Sequence, residues 1–382
     1  MKFLYGFGVV ALLVGVGSLA VSFFQSPVSS PPPPLDQFVN KTLSENRDLP
    51  PFAPETVVSP TPAPTPAPAS GTFCTGNNAS NFDCYETYFT NLVKDKGVKA
   101  AFTVLRAVYP VNPYVKSQCH PLTHVIGRVA TLQYPNVGDA YKEGDGFCWS
   151  GYYHGVLEGI IGKIGRKNLP AQMNGICADL AAKRKYSFDH YNCVHGLGHG
   201  VMAITEDELF ESLALCDNLT DSWDAASCHS GAFMENIIVD GKNHFTKYLK
   251  TDEPLYPCDA VGEKYKQTCY LMQTSYMLKV KNGDFNKVFS LCAGADANFV
   301  DICYQSLGRD ASGRSVSNVA QTRMTCNLGK DYEQRSNCII GAVKDFISYY
   351  HGDTEAKQLC ASLEPDLSKV CVDTADSYVK IL

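Results

Sequence analysis

Six of the nine histidines in this 382-residue chain fall within the seven residues that follow four of its cysteines. The segments are CHPLTHVIG from Cys119, CWSGYYHGVLEG from Cys148, CVHGLGHGV from Cys193 and CHSGAFMEN from Cys228. His120 with His124, and His195 with His199, stand four residues apart, so a helix would carry both imidazoles of each pair on one face. Glu158 follows His154 at the same spacing, and Glu235 lies one to two turns beyond His229. Neutral imidazoles converging with a carboxylate are what a transition-metal site requires. The corresponding windows after Cys269, Cys303, Cys338 and Cys371 hold no histidine, so the scaffold does not itself demand one there. The candidate ligands are therefore His120, His124, His154, Glu158, His195, His199 and His229, with Glu158 or Glu235 as a bridge, a proton acceptor or a general base. One ion does not need so many donors, and two ions are expected, iron or copper first and zinc after them. His190, His244 and His351 lack such company and read as surface or hinge residues.

The elements that position these residues are marked by the cysteines. Cys177 and Cys193, Cys216 and Cys228, Cys258 and Cys269, Cys292 and Cys303, Cys326 and Cys338, and Cys360 and Cys371 form pairs with a regular gap. The first members of the last four pairs are each 34 residues apart, the period of a helical-hairpin repeat. In each unit the first cysteine closes an amphipathic stretch such as FNKVFSLC, and the second opens another such as NCIIGAVKDF. Local pairing, with each hairpin stapled at its own turn, is expected, and pairing between neighbouring repeats is the alternative. Upstream, Cys119 and Cys148 are expected to bridge adjacent repeats and Cys74 to join Cys84. Scarcely any segment alternates with a period of two, so the folded part reads as all-α, a right-handed α-solenoid of disulfide-stapled hairpins. Its His-rich repeats span residues 71–257 and its C-terminal hairpins continue over 258–382. Gly151, Gly196 and Gly231 share the third position after their cysteines, which implies close approach of helix backbones. Gly341 holds the same position in a histidine-free repeat, so packing rather than substrate access is the preferred account.

Before the cysteines come two unlike segments. Residues 1–25 are a nearly unbroken apolar run behind Lys2, long enough for a signal anchor, with Ser18-Leu19-Ala20 resembling the cleavage site of a signal peptide. Residues 26–70 hold 13 of the 21 prolines and read as an extended, disordered linker reaching up to ~140 Å. All 16 cysteines follow, and an exported chain with an even cysteine count points to an oxidising compartment, extracellular or periplasmic, membrane-anchored unless the leader is cleaved. A net charge of −6 without basic clusters argues against nucleic acid.

The 34-residue cysteine period over roughly residues 160–382 resembles the Sel1-like and tetratricopeptide solenoids in architecture, although their consensus residues are absent. The His-x-x-x-His and His-x-x-x-Glu helices are similar in logic to helical-repeat di-iron oxygenases of the deoxyhypusine hydroxylase type, without the adjacent His-Glu dipeptides of that family. In ligand type they also resemble the dinuclear copper proteins. The resemblance implies an extracytoplasmic oxidoreductase that activates oxygen at a dinuclear centre and acts on a peptide or small molecule. A zinc hydrolase comes next. From another class comes an interaction solenoid whose groove takes a protein ligand, with structural metal or none, and a metal store is a further alternative.

Overall fold

The structure, a computed structural model, describes residues 74–238, 246–315 and 318–381, and every regular element among them is helical. The expected anchor at 1–25, the linker at 26–70 and His244 lie outside the described residues. No helix among the described residues is long and apolar enough to cross a membrane.

The chain begins with α1 (Phe82–Lys96) and α2 (Val98–Val108), joined at Gly97 with φ 84°. There follow α3 (Pro113–Ser117), α4 (Cys119–Ala130), α5 (Val137–Tyr141), α6 (Gly151–Ile164), α7 (Leu169–Ile176), α8 (Ala178–Lys183) and α9 (Phe188–Ile204). Short and long helices then alternate: α10 (Leu209–Cys216) and α11 (Ser222–Ile237), α12 (Glu263–Val280), α13 (Phe285–Cys292) and α14 (Val300–Arg314). The last are α15 (Val319–Cys326), α16 (Tyr332–Tyr350), α17 (Thr354–Ala361) and α18 (Pro365–Tyr378).

Eight disulfides join Cys74–Cys84, Cys119–Cys148, Cys177–Cys193, Cys216–Cys228, Cys258–Cys269, Cys292–Cys303, Cys326–Cys338 and Cys360–Cys371. One expectation is corrected here. The second cysteine of a pair does not open the following helix but sits one to two turns inside it, as Cys228 does in α11 and Cys338 in α16. Capping residues upstream start these helices earlier: the Asp221 carboxylate accepts from the Trp223 and Asp224 amides, and Asp331 accepts from Gln334. Four of the bonds, from Cys216, Cys292, Cys326 and Cys360, therefore tie the end of a short helix to the flank of the next long one. Eight such bonds in a chain without a free cysteine suit an oxidising, extracellular-type environment.

The helices α1, α4, α6, α9, α11, α12, α14, α16 and α18 pack each against the next. The array also meets itself. Trp149, just before α6, lies against Tyr349 near the end of α16 with ring centroids 5.3 Å apart, and Phe188 meets His351 at 5.1 Å. Arg184 donates to the Lys380 carbonyl at 2.7 Å. Two apolar clusters line the array, one from Cys74 to Cys228 and the other from Met202 to Ala375, so the second runs across residue 257.

Three helix pairs, α4/α6, α9/α11 and α14/α16, share one contact. A Cβ added at Gly155, Gly231 or Gly341 would overlap the carbonyl oxygen of His124, His195 or Gln305 on the partner helix. In return Gly127, Gly198 and Gly308, each three residues further on, meet the carbonyls of Tyr152, Cys228 and Cys338. Glycine at these positions lets the backbones touch, and side chains flanking the contact are held in a fixed register. His195 of α9 thus corresponds to Gln305 of α14, His199 to Arg309, and Glu235 to Asp345.

Candidate metal centre

The adjacent long helices α4, α6 and α9 bring five imidazoles together. His120 and His124 come from α4, His154 from α6, and His195 and His199 from α9, all at the helix faces fixed by the glycine contacts. His154 lies in the middle, stacked on His199 with centroids 4.3 Å apart and within 5.0 to 5.4 Å of His195, His120 and His124. Potential coordinating atoms of His120, His124 and His154 lie within 4.8 Å of one another, as do those of His154, His195 and His199. A third such group is His124, Glu158 and His199. These buried groups could hold a metal ion.

The outer nitrogen of each imidazole decides what the inner one offers. His120 Nδ1 lies 2.8 Å from the Cys148 carbonyl oxygen, which only accepts, so Nδ1 carries the hydrogen. His124 Nδ1 lies 2.5 Å from Glu158, and His199 Nδ1 lies 2.5 Å from Glu235, again carrying hydrogens toward acceptors. Ser230 gives its hydroxyl hydrogen to the Ser227 carbonyl and so accepts from His195 Nδ1 at 2.7 Å. Hydrogen-bond partners thus assign all four tautomers with Nε2 unprotonated in the neutral ring. Yet His120 Nε2 faces His124 Nε2 at 3.0 Å, and His195 Nε2 faces His199 Nε2 at 3.2 Å. Two buried lone pairs at that distance repel unless a positive charge lies between them. A proton on one ring of each pair supplies it, and so does a metal ion. Ligands bonded at 2.0 to 2.1 Å stand about 2.9 to 3.4 Å apart when adjacent in an octahedron or tetrahedron, which matches both gaps. Protons alone leave His154 Nδ1 buried without a hydrogen-bond partner, whereas an ion gives it a role as ligand.

Electrostatics agree with a ligand set. Burial, reinforced by the neighbouring His124, lowers His120 to about 3, and burial beside His199 and the other rings holds His154 and His195 well below the usual imidazole range. Glu158 is buried, which opposes ionisation, but His124 and Arg128 hold it well below the usual carboxylate range. Burial opposes ionisation of Glu235 as well, and the bond from His199 lowers it. Arg128 donates to Glu158 at 2.7 Å and to Glu86 at 3.1 Å. The carboxylates therefore stand behind His124 and His199, in the position from which acceptors orient metal-ligating imidazoles.

His229 lies 3.1 Å from Asp217 and edge-on to Tyr265 at 4.8 Å, and it joins none of the three groups. His190 is buried rather than at the surface. Its ring stacks on Trp223 because Ser187 and Tyr186 start α9 early enough to carry it inward. His351 caps α16 in the left-handed region at φ 55°. Ser230, Arg128 and the Cys148 carbonyl were not legible as site groups. The last is delivered by three consecutive left-handed residues, Cys148, Trp149 and Ser150, at φ 56–61°, a turn that no residue type there announces.

A cavity of ≈ 230 Å³ adjoins the histidines, with His154 and His195 in its wall. Both tryptophans of the chain, Trp149 and Trp223, line it, as does Tyr191, whose hydroxyl is 3.2 Å from His195 Nδ1. Opposite stand Gln305 and Arg309 of α14 and Asp345 of α16. The chain matches no protein-family model, no curated protein sequence and no solved structure.

Proposed function

We propose that this chain is an extracytoplasmic metalloprotein that holds two ions on His120, His124, His154, His195 and His199. Its task in this reading is oxygen-dependent oxidation of a small molecule in the adjoining cavity. The observation that carries it is the two pairs of Nε2 atoms opposed at 3.0 and 3.2 Å, beside the unpartnered His154 nitrogen. An all-imidazole set favours copper over iron, whose non-haem oxygen-activating sites include a carboxylate ligand. Glu158 and Glu235 orient the rings. The zinc-hydrolase alternative asks Glu158 to act as general base, and its bonds to His124 and Arg128 leave it poorly free to do so. In the same proposal the helices form a right-handed solenoid, and residues 1–25 tether it to a membrane through the Pro-rich segment.

The test is the metal content of the full chain made in an oxidising compartment, measured beside a His154→Ala/His199→Ala variant that keeps every cysteine. Two equivalents of copper, lost in a variant of unchanged helical circular dichroism, are the expected result. Two of zinc would shift the reading to hydrolysis. Neither protein taking up metal supplied during folding would end it, leaving an interaction solenoid.

A further inference from the structure

The cavity wall opposite the histidines repeats their scaffold with other side chains. Asp345 stands on α16 where Glu235 stands on α11, and Arg309 on α14 where His199 stands on α9, by the register of the glycine contacts. In the histidine pair the base and the acid meet across the helices at 2.5 Å. In the second pair they do not. Arg309 is drawn away to α12, where it donates to the Leu271 carbonyl at 2.9 Å, the Met272 sulfur at 2.8 Å and Ser275 at 2.8 Å. Its nearby acid is Asp310 at 3.4 Å, itself bonded by Thr274 and Ser275.

Asp345 is left with a buried Oδ2 that has no hydrogen-bond partner, in the wall of a cavity. Burial pushes its carboxyl up to about 6, with Ser312 and the displaced Arg309 only partly opposing this. The neighbouring Lys344 turns to Gln305 at 3.2 Å. One turn beyond Asp345, Tyr349 packs against Trp149, so the carboxylate sits beside a paired aromatic wall. A half-buried acid with an unpartnered inner oxygen and no cation bonded to it, next to aromatic faces, is a recognition element for an ammonium group.

We infer that the cavity binds a small amine with an aromatic or flat apolar body, its ammonium on Asp345 and its far end toward His154 and His195. This names the substrate class of the proposed metal centre and rests on that reading for its consequence, but the binding itself needs no metal. Because the only two tryptophans both line the cavity, intrinsic fluorescence reports on its occupancy. The experiment titrates the full chain with phenethylamine, with the uncharged 2-phenylethanol and with the anionic 3-phenylpropionate at pH 7.5. Phenethylamine is expected to bind at least tenfold more tightly than either. That preference should shrink to within twofold in Asp345→Asn, survive in Asp345→Glu, and persist in wild-type protein stripped of metal by a chelator. Equal binding of the three probes, a preference for the anion, or an undiminished preference in Asp345→Asn would overturn the assignment. Loss of the preference on removal of metal from the wild-type protein would overturn it too, since the metal and not Asp345 would then hold the amine. A failed metal reading is recognised separately, by metal content, with amine preference intact. Circular dichroism and melting of each variant show whether a loss is one of folding.

Discussion

The α9/α11 and α14/α16 pairs are built on one plan and do different work. Both cross at reciprocal glycines, both carry a disulfide from the preceding short helix, and both carry polar side chains at the same three positions of that register. In the first pair those positions are His195, His199 and Glu235, closed on one another by short bonds. In the second they are Gln305, Arg309 and Asp345, and the base has been taken away by α12. The difference teaches that the glycine contact supplies only register. What is placed in that register, and what the next helix does to it, decides whether base and acid close on each other, as His199 and Glu235 do, or an acid is left without its base, as Asp345 is.

The largest effects should follow from breaking the shared register. Gly231→Val and Gly341→Val each push a side chain into a partner carbonyl, and neither variant should yield folded, soluble protein. Survival of Gly341→Val with a wild-type melting profile would show that the two crossings are not equivalent. Next in size is exchange of function at matching positions. Arg309→Ala should cost about 3 to 5 kcal/mol in chemical denaturation, because it strands Asp310 among its remaining partners, while metal stoichiometry stays unchanged. His199→Ala should also lower the melting point, since it empties a buried site and strands Glu235, but unlike the arginine variant it should lose metal. Metal loss in the arginine variant would mean that α14 belongs to the centre.

Much of this plan was legible, for reasons specific to certain residues. Cysteine spacing exposes the hairpins because a disulfide requires Cα atoms within a narrow distance, here 5.3 to 5.9 Å. The i, i+4 histidines declare their common face because helical geometry leaves them no other. Equal offsets from Cys148 and Cys193 put His154 and His199 at matching positions, and they are found stacked. The opposite wall was not legible. Gln305, Arg309 and Asp345 have no spacing that distinguishes them from a solvated helix face, and only the return of α16 against Trp149 brings them across from the histidines. His229 shows the converse failure: it sits directly after its cysteine like His120, but on α11 it is buried against Asp217 and joins none of the clustered groups.

A smaller effect separates the two acids by pH. Asp345 is raised to about 6 from an ordinary value of about 3.9, so the folded protein holds its proton more tightly than the unfolded chain does. The stability this gives is present below the unfolded value and is lost as pH rises through about 6. Without amine, Asp345→Asn should therefore be more stable than wild type by about 2 to 3 kcal/mol at pH 7.5, and the advantage should vanish below about pH 4. Glu235 is shifted the other way by His199, so its contribution is present above the unfolded value and is lost as pH falls through its lowered one. An Asp345→Asn advantage that is flat with pH would mean that the carboxyl is not held in the buried state described.

The smallest expected effect is the most discriminating. Glu235→Gln keeps the shape of the side chain and, through its amide oxygen, an acceptor for His199 Nδ1, so the ring stays oriented. What it removes is the negative charge that makes the imidazole a better donor. Loss of such an orienting carboxylate costs about 10- to 100-fold in metal affinity, and a competition titration against a chelator should read a drop in that range. Asp345→Asn, the same change at the matching position, should leave metal affinity within twofold, because no imidazole is bonded to the unpartnered Asp345 oxygen. Equal drops in the two variants would mean that the carboxylates act through the general field of the cavity. An effect of Glu235→Gln alone would place its action in the bond to His199, the single contact by which the two walls differ most.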